Sequence, residues 1–299
     1  MADELTDPML AAIATALEGC PGAEFRARLR RRLERSIEDM TTTPAPAASA
    51  VIHRVTPYLM TQDIEPLIAF ATRVFGAEEV RRGTGSGGGI HCELRVGDTT
   101  LMFGGATPVE PVAPRLLGLH IYVDDVDAVH ARALAAGARS LGEPEDRHYG
   151  ERSGFVADVA GNHWYIATHT APSYFATPPG TVTANLYVQR TPERTGSDFI
   201  AFLTAAFGAS VEMRVDNGDM IGHAVLRLGT TALELGEGTQ PNISAPAAFV
   251  MNVDDADAMY ARALAAGATA ISPPAPQSYG GRMGGVRDPW GNEWYIAAP

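Results

Sequence analysis

The chain has 299 residues, 45% of them apolar, and a formal net charge of −12. This length allows about two domains with real cores, and the acidic balance argues against a nucleic-acid partner, whose phosphates need clustered excess base. Cys20 and Cys92 are too few for a disulfide framework and too far apart for a metal knuckle. Apart from His, every basic side chain is Arg. No apolar run is long enough to cross a membrane. The acidic first residues (Asp3, Glu4, Asp7) carry no export signal. The expectation is a soluble, cytoplasmic protein without a membrane partner.

Residues 1–50 read as a helical arm and linker. Thr6-Asp7-Pro8 starts a helix, and the stretch from Gly19 to Gly22 ends it. A second helix over about Ala23 to Met40 lines up Phe25, Leu29, Leu33 and Ile37 at spacing four. Its other faces carry Arg26, Arg28, Arg30, Arg31, Arg32 and Arg35, interrupted by Glu34, Glu38 and Asp39. Two readings stand: a contact for nucleic acid or anionic lipid, and the favoured one, a solvated face of a packing helix. Thr41 to Ala50 reads as a linker.

Beyond the arm, four modules repeat one plan. The first has a strand at Val55–Thr61, a helix over Pro66–Phe75 closed by Gly76, and strands near Glu78–Arg82, Ile90–Val96 and Thr100–Phe103. The second has a strand at Leu119–Val123, a helix from Val126 to Ala136, and a last strand around Trp164–Thr168. The third and fourth repeat this over about 182–236 and 247–298. Phe75-Gly76-Ala77 matches Phe207-Gly208-Ala209, and Leu94-Arg95-Val96-Gly97 matches Leu226-Arg227-Leu228-Gly229. Ala131 to Ala138 recurs unchanged as Ala261 to Ala268, and Gly161-Asn162-His163-Trp164-Tyr165 returns as Gly291-Asn292-Glu293-Trp294-Tyr295. Constant spacing over so long a stretch means duplicated folded units. A strand–helix–three-strand module has one bare sheet face, so modules should pair around it.

These residues resemble the vicinal oxygen chelate superfamily of glyoxalases, extradiol dioxygenases and bleomycin-resistance proteins, most closely its bacterial PhnB-like members. The signature stretches are His91 to Gly97 and His223 to Gly229, then Tyr279 to Arg282 and Asp288 to Trp294; the first copy departs at Asp158-Val159-Ala160. The resemblance implies an α+β fold in which tandem βαβββ modules pair into two glyoxalase-like domains behind the arm. Neighbouring modules are expected to pair, giving domains at 51–172 and 180–299.

In the metal-dependent families each module pair supplies ligands from its first, fourth, fifth and eighth strands. Carried over, those positions fall on Thr56, Met102, Gly118 and Tyr165, and on Thr183, Glu234, Ala248 and Tyr295. Only Glu234 is a usual ligand, so the standard metal site is expected to be missing and no cofactor is expected. A displaced divalent metal remains an alternative. Side chains two apart on a strand share a face, which puts Tyr58, His91, Glu93, His120, Tyr122 and His163 around one hollow in the first domain. In the second domain Val250 replaces His120, Glu293 replaces His163 and Glu234 replaces Met102, so a carboxylate pocket near His223 and Arg227 is expected there.

The remaining features have structural readings. Gly83 to Gly89 leads into a strand rather than a helix, so a hairpin is favoured over a phosphate loop. Arg152 and Arg282 either bind an anion or brace their loops, with bracing favoured. Trp164 and Trp294 should pack in cores, and Cys92 should be buried and inert.

The functional expectation is a small-molecule-binding protein that sequesters a toxic or natural-product-like ligand. Tyr58, Tyr122, Tyr165, Tyr187 and Tyr295 would supply stacking and cation–π contacts; His91, His223, Arg227, Glu234 and Glu293 would add polar ones. The alternative is an isomerase, lyase or oxygenase using His120, His163 and Glu93 for acid–base work. The arm leaves room for a homodimer.

Overall fold

The first helix-forming stretch after the linker shows how local sequence sets the elements. Pro66 stands in the first turn of helix α1 (Glu65–Phe75), where its missing N–H costs nothing. Gly76 then closes the helix in the left-handed region at φ 68°. The other helices are capped by side chains. Asp125 and Asp255 accept from the amides of Ala128 and Ala258, at 3.0 Å each, to start α2 (Val126–Ala135) and α4 (Ala256–Ala265). Thr195 and Asp198 form a reciprocal capping box at the start of α3 (Gly196–Phe207). The Val-Asp-Asp repeat is therefore a helix-starting device.

A computed structural model describes residues 50–85, 88–105, 114–171, 179–239, 246–278 and 280–299. The helices expected before residue 50, the centre of the glycine-rich stretch and Tyr279 lie outside the described residues. The strands follow the four modules. The first holds β1 (Ile52–Thr61), β2 (Glu78–Thr84), β3 (Ile90–Val96) and β4 (Thr99–Gly105). The second holds β5 (Gly118–Tyr122), β6 (Arg139–Arg147), β7 (Glu151–Ala157) and β8 (His163–His169). The third has β9 (Val182–Gln189), β10 (Ser210–Asn217), β11 (Met220–Leu228) and β12 (Thr231–Gly238); the fourth has β13 (Ala248–Val253), β14 (Thr269–Pro276), β15 (Arg282–Arg287) and β16 (Glu293–Ala298). This is the expected α+β fold of tandem βαβββ modules, with two glyoxalase-like halves. As expected, β2 and β3 form a hairpin around the glycine-rich stretch, with Thr84 opposite Ile90.

Which modules share a sheet differs from the expectation. One eight-stranded sheet runs β14-β15-β16-β13-β1-β4-β3-β2 and joins the first module to the fourth; we call it the outer sheet. The other runs β10-β11-β12-β9-β5-β8-β7-β6 and joins the second to the third; we call it the inner sheet. In each, the first strands of two modules pair antiparallel, Val55 opposite Met251 and Leu119 opposite Ala184. Neighbouring modules meet through their helices instead. Arg132 on α2 donates to the carbonyl of Val74 at the end of α1 (2.8 Å), and Arg262 on α4 does the same to Ala206 on α3 (2.6 Å). Each guanidinium meets carbonyls that a helix end leaves unpaired, where the helix dipole favours a cation. The Arg repeated within Ala131–Ala138 and Ala261–Ala268 is thus the tie between helix pairs.

Residues 50–299 form one compact unit. Its core lies between the sheets and the helices. Trp164 and Trp294 are fully buried there, as are Cys92 and Leu94 of β3 and Leu226 and Leu228 of β11. Burial raises the Cys92 thiol to about 11, so it stays protonated. The turns between β3 and β4 and between β11 and β12 are tight at the module seams. Gly229 has φ +58°, and a Cβ there would lie 2.2 Å from the Ile52 carbonyl oxygen; Gly97 makes the same approach to Gly180. Only glycine fits either position.

Candidate functional site

The sheet face opposite the helices carries the polar side chains. Alternation along β3 buries Cys92, Leu94 and Val96 against the helices and turns His91, Glu93 and Arg95 the other way. The same alternation places His120 and Tyr122 of β5, His163, Tyr165 and His169 of β8, and Glu234 of β12 on the helix-free face of the inner sheet.

There, strands β5 and β12 flank β9, and two side chains reach across it. His120 Nδ1 lies 2.9 Å and 3.1 Å from the two carboxylate oxygens of Glu234, with 114 residues between them in sequence. His223 Nε2 approaches the same carboxylate at 3.3 Å. His120 is 6% exposed and Glu234 7%, and His120 Nε2 is buried with no hydrogen-bond partner among the described residues. Aromatic rings wall the imidazole: Tyr122 with its centroid at 4.5 Å and Tyr165 at 5.0 Å. Tyr122 stacks on His169 at 4.1 Å and donates its hydroxyl to buried Glu151 at 2.6 Å. Phe155 meets Tyr165 edge-on at 3.8 Å.

Burial alone would pull the His120 pKa down, but the charge and hydrogen bond of Glu234, with Glu151 behind, raise it above the ordinary histidine value. Burial pushes Glu234 up, yet His120 and then His223 hold it below the usual carboxylate range. Burial and the Glu151 carboxylate push the Tyr122 phenol well up, so it remains a donor.

The helix-free face of the outer sheet is built differently. Glu293 is buried and accepts from Arg115 (2.7 Å), Arg287 (3.0 Å) and the Tyr295 hydroxyl (3.0 Å). Tyr58 lies edge-on to Tyr295 at 6.1 Å and to His91 at 5.9 Å. Glu93 meets His91 at 3.4 Å and Arg81 at 3.9 Å. Glu293 stays ionised because its arginine and tyrosine partners outweigh burial, which acts the other way.

The expected grouping of site residues therefore changes. His91 and Glu93 share the outer sheet with Tyr58, Glu293 and Tyr295, whereas His120, His163, Tyr122, Tyr165, Tyr187, His223, Arg227 and Glu234 stand on the inner one. The expected cluster of His91, His120, His163 and Glu93 does not form, nor does the division into one imidazole-rich and one carboxylate pocket. The cause is the pairing of the first strands, which sets each module against one from the other half of the chain. His163 stands near Arg139, burial and that guanidinium lowering its pKa, and no hydrogen bond joins it to His120 among the described residues. Arg227 is held by Glu212 at 2.9 Å and 2.7 Å and donates to the Thr230 carbonyl at 3.1 Å. Tyr187 packs its ring over Gly238 and Tyr58 over Gly104, where any Cβ would strike the phenol. Sequence reasoning missed Glu151, Arg115 and His169; no local pattern marks them, because each acquires its role from a partner strand.

With the modules re-paired, the family's ligand positions hold Thr56, Met102, Ala248 and Tyr295 in the outer sheet, and Thr183, Glu234, Gly118 and Tyr165 in the inner one. A divalent ion needs at least three converging donors. These residues do not fit one, and among the described residues no three His, Cys, Asp or Glu side chains gather in a way that could hold a metal.

Other signature residues are structural. Asp158 and Asp288 each tie a turn: Asp288 accepts from the amides of Trp290 and Asn292, the Asn292 side chain, and the Trp294 indole at 3.0 Å. Asp158 does the same for Ala160, Asn162 and Trp164. Arg152 and Arg282 brace their hairpins to Asp127 and Asp257 at the starts of α2 and α4.

The sequence pattern of the Glyoxalase/Bleomycin resistance protein/Dioxygenase superfamily matches residues 51–166 and 194–296, and the chain belongs to that superfamily. A Mycobacterium bovis protein with the provisional name glyoxylase CFP32 is 27% identical over 252 residues, covering 81% of this chain and 92% of that protein. An uncharacterized Mycobacterium tuberculosis protein is 34% identical over 149 residues, which are 46% of this chain and 84% of that one. Among solved structures, glyoxalase I from Zea mays superimposes with a TM-score of 0.65 at 18% identity, covering 84% of this chain and 92% of that one. That likeness is one of fold. No helix among the described residues is long and apolar enough to cross a membrane.

Proposed function

We propose that this protein binds a small organic molecule on the helix-free face of the inner sheet, without a divalent metal at the positions its superfamily uses. The observation that carries the reading is His120: its Nδ1 is committed to Glu234 and its buried Nε2 is left without a partner among the described residues. A buried polar atom left unpaired costs about 1–3 kcal/mol, and a ligand hydrogen bond would recover that. The walls of the site are phenol and phenyl rings (Tyr122, Tyr165, Phe155), which suit a flat aromatic ligand. His120 balances Glu234, and Glu151 adds a further carboxylate behind Tyr122, which favours a neutral or cationic molecule over an anion. Sequestration of a toxic or natural-product-like compound is the role that agrees with these features and with the bleomycin-resistance branch of the superfamily.

The test is calorimetric titration with a panel of planar aromatic amines and phenols, with and without EDTA. Binding that persists in EDTA and drops at least about tenfold in His120→Gln (one lost hydrogen bond of about 1.4 kcal/mol or more) agrees with the reading. Binding that is abolished by chelation, or that ignores His120→Gln, contradicts it.

A further inference from the structure

The repeat supplies an internal control for the His120–Glu234 pair. In the outer sheet the corresponding positions are Val250 and Met102, and the same strands fold around them with Met102 buried. The fold therefore does not require an ion pair at this place. In the inner sheet the pair nevertheless persists, with both side chains buried and one ring nitrogen unpartnered among the described residues. In the neutral ring, which forms as pH rises through the raised His120 value, a carboxylate at Nδ1 holds the remaining proton there and leaves Nε2 as the lone-pair nitrogen. His223 touches the same carboxylate oxygen and its side chain is 36% exposed, so protons have a route between the pair and solvent.

We propose that His120 is a general base acting through Nε2 on a carbon acid bound at this face, with Glu234 as its positioning residue and His223 as the link to solvent. The substrate class is a neutral, flat molecule with an acidic C–H beside an electron-withdrawing group. Nε2 takes the proton, the C–H electron pair moves into the substrate as an enolate-type anion, and Glu234 stabilises the imidazolium. Return of the same proton to a different atom completes an isomerisation, in which nothing is oxidised or reduced and no co-reactant is consumed. The titratable groups facing His120 are Glu234 from β12, His223 from β11, Glu151 from β7, Tyr122 from its own strand and Tyr165 from β8. The proposal rests on the reading of this face as a binding site, so its test separates the two.

The probe is 5-nitrobenzisoxazole, a flat neutral molecule that loses its ring C–H proton to a base. Its C–H pair forms the nitrile, the N–O bond breaks, and the released phenolate is followed by absorbance. The full-length protein should turn it over saturably and about 100-fold or more faster than the same concentration of free imidazole, within the range of general-base catalysis. His120→Ala should remove that acceleration. Glu234→Gln, which keeps the size of the side chain, should lower kcat about tenfold and move the pH midpoint of kcat downward while KM holds, a pattern that a merely structural role would not give. A wild-type rate no greater than that of imidazole overturns the proposal, as does a rate unchanged in both variants; the wild-type comparison does not depend on how the variants fold. Titration with 5-nitrobenzimidazole, a flat neutral analogue with no N–O bond to break, tells which reading has failed. Binding without turnover removes the base and leaves the binding site. Loss of binding and turnover alike in the wild type removes both.

Discussion

Replacing Glu234 by Gln removes one charge from a buried pair of the inner sheet. The carboxylate receives His120 at 2.9 Å and His223 at 3.3 Å. A hydrogen bond to a charged group contributes about 1.5–3 kcal/mol. The amide oxygen of Gln still accepts from His120, so the loss is the charged part of that bond, and the half-open His223 contact adds little once screening is counted. The expected destabilisation is about 1–2 kcal/mol, or about 2–8 °C in Tm for a unit of this size. Its dependence on pH identifies the cause. The raised pKa of His120 means that its share is whole below the unfolded value of 6.5 and drains away as pH rises through the folded value. The lowered pKa of Glu234 means that its share is whole above 4.5 and is lost as pH falls through the folded value. The gap between wild type and variant is therefore widest between those two values and narrows on both sides. Urea denaturation across pH measures it. A gap that stays constant as pH rises from about 5.5 to the alkaline limit of the fold would refute a charged pair, because ionisation of His120 would then play no part.

Two further substitutions test the frame around the site. Gly229→Ala and Gly218→Ala start from similar backbone angles, φ +58° and +66°, but only the first would push a Cβ against backbone, 2.2 Å from Ile52 O. Gly218→Ala should cost about 1 kcal/mol and Gly229→Ala about 3 kcal/mol or more, read as urea midpoints; equal losses would show that the seam between β11–β12 and β1 is not tight. Asp288→Ala strands four buried or half-buried donors, including the Trp294 indole. About 3–4 kcal/mol should be lost and tryptophan emission should shift to the red, whereas an unchanged spectrum and midpoint would contradict the role given to this turn.

Much of the fold was legible because its signals are local. Pro66 and Gly76 bracket α1, Asp125 and Asp255 start α2 and α4, and alternation along β3 and β11 separates the core face from the polar one. A helix cap or a strand face depends on residues within a few positions, so the sequence alone determines it. The repeat likewise determined that four modules share one plan. It could not determine which modules share a sheet. Four similar first strands offer similar open edges, and backbone hydrogen bonds between them carry no address. Tertiary contacts make that choice: Arg132 and Arg262 lock neighbouring helices together, and Gly97 and Gly229 admit backbone at the seams, leaving β1 to pair with β13 and β5 with β9. The site follows from this choice. His120 and Glu234 were each visible as unusual residues, but they were assigned to different pockets, and only the pairing of β5 with β9 beside β12 brings an imidazole and a carboxylate 114 residues apart to 2.9 Å.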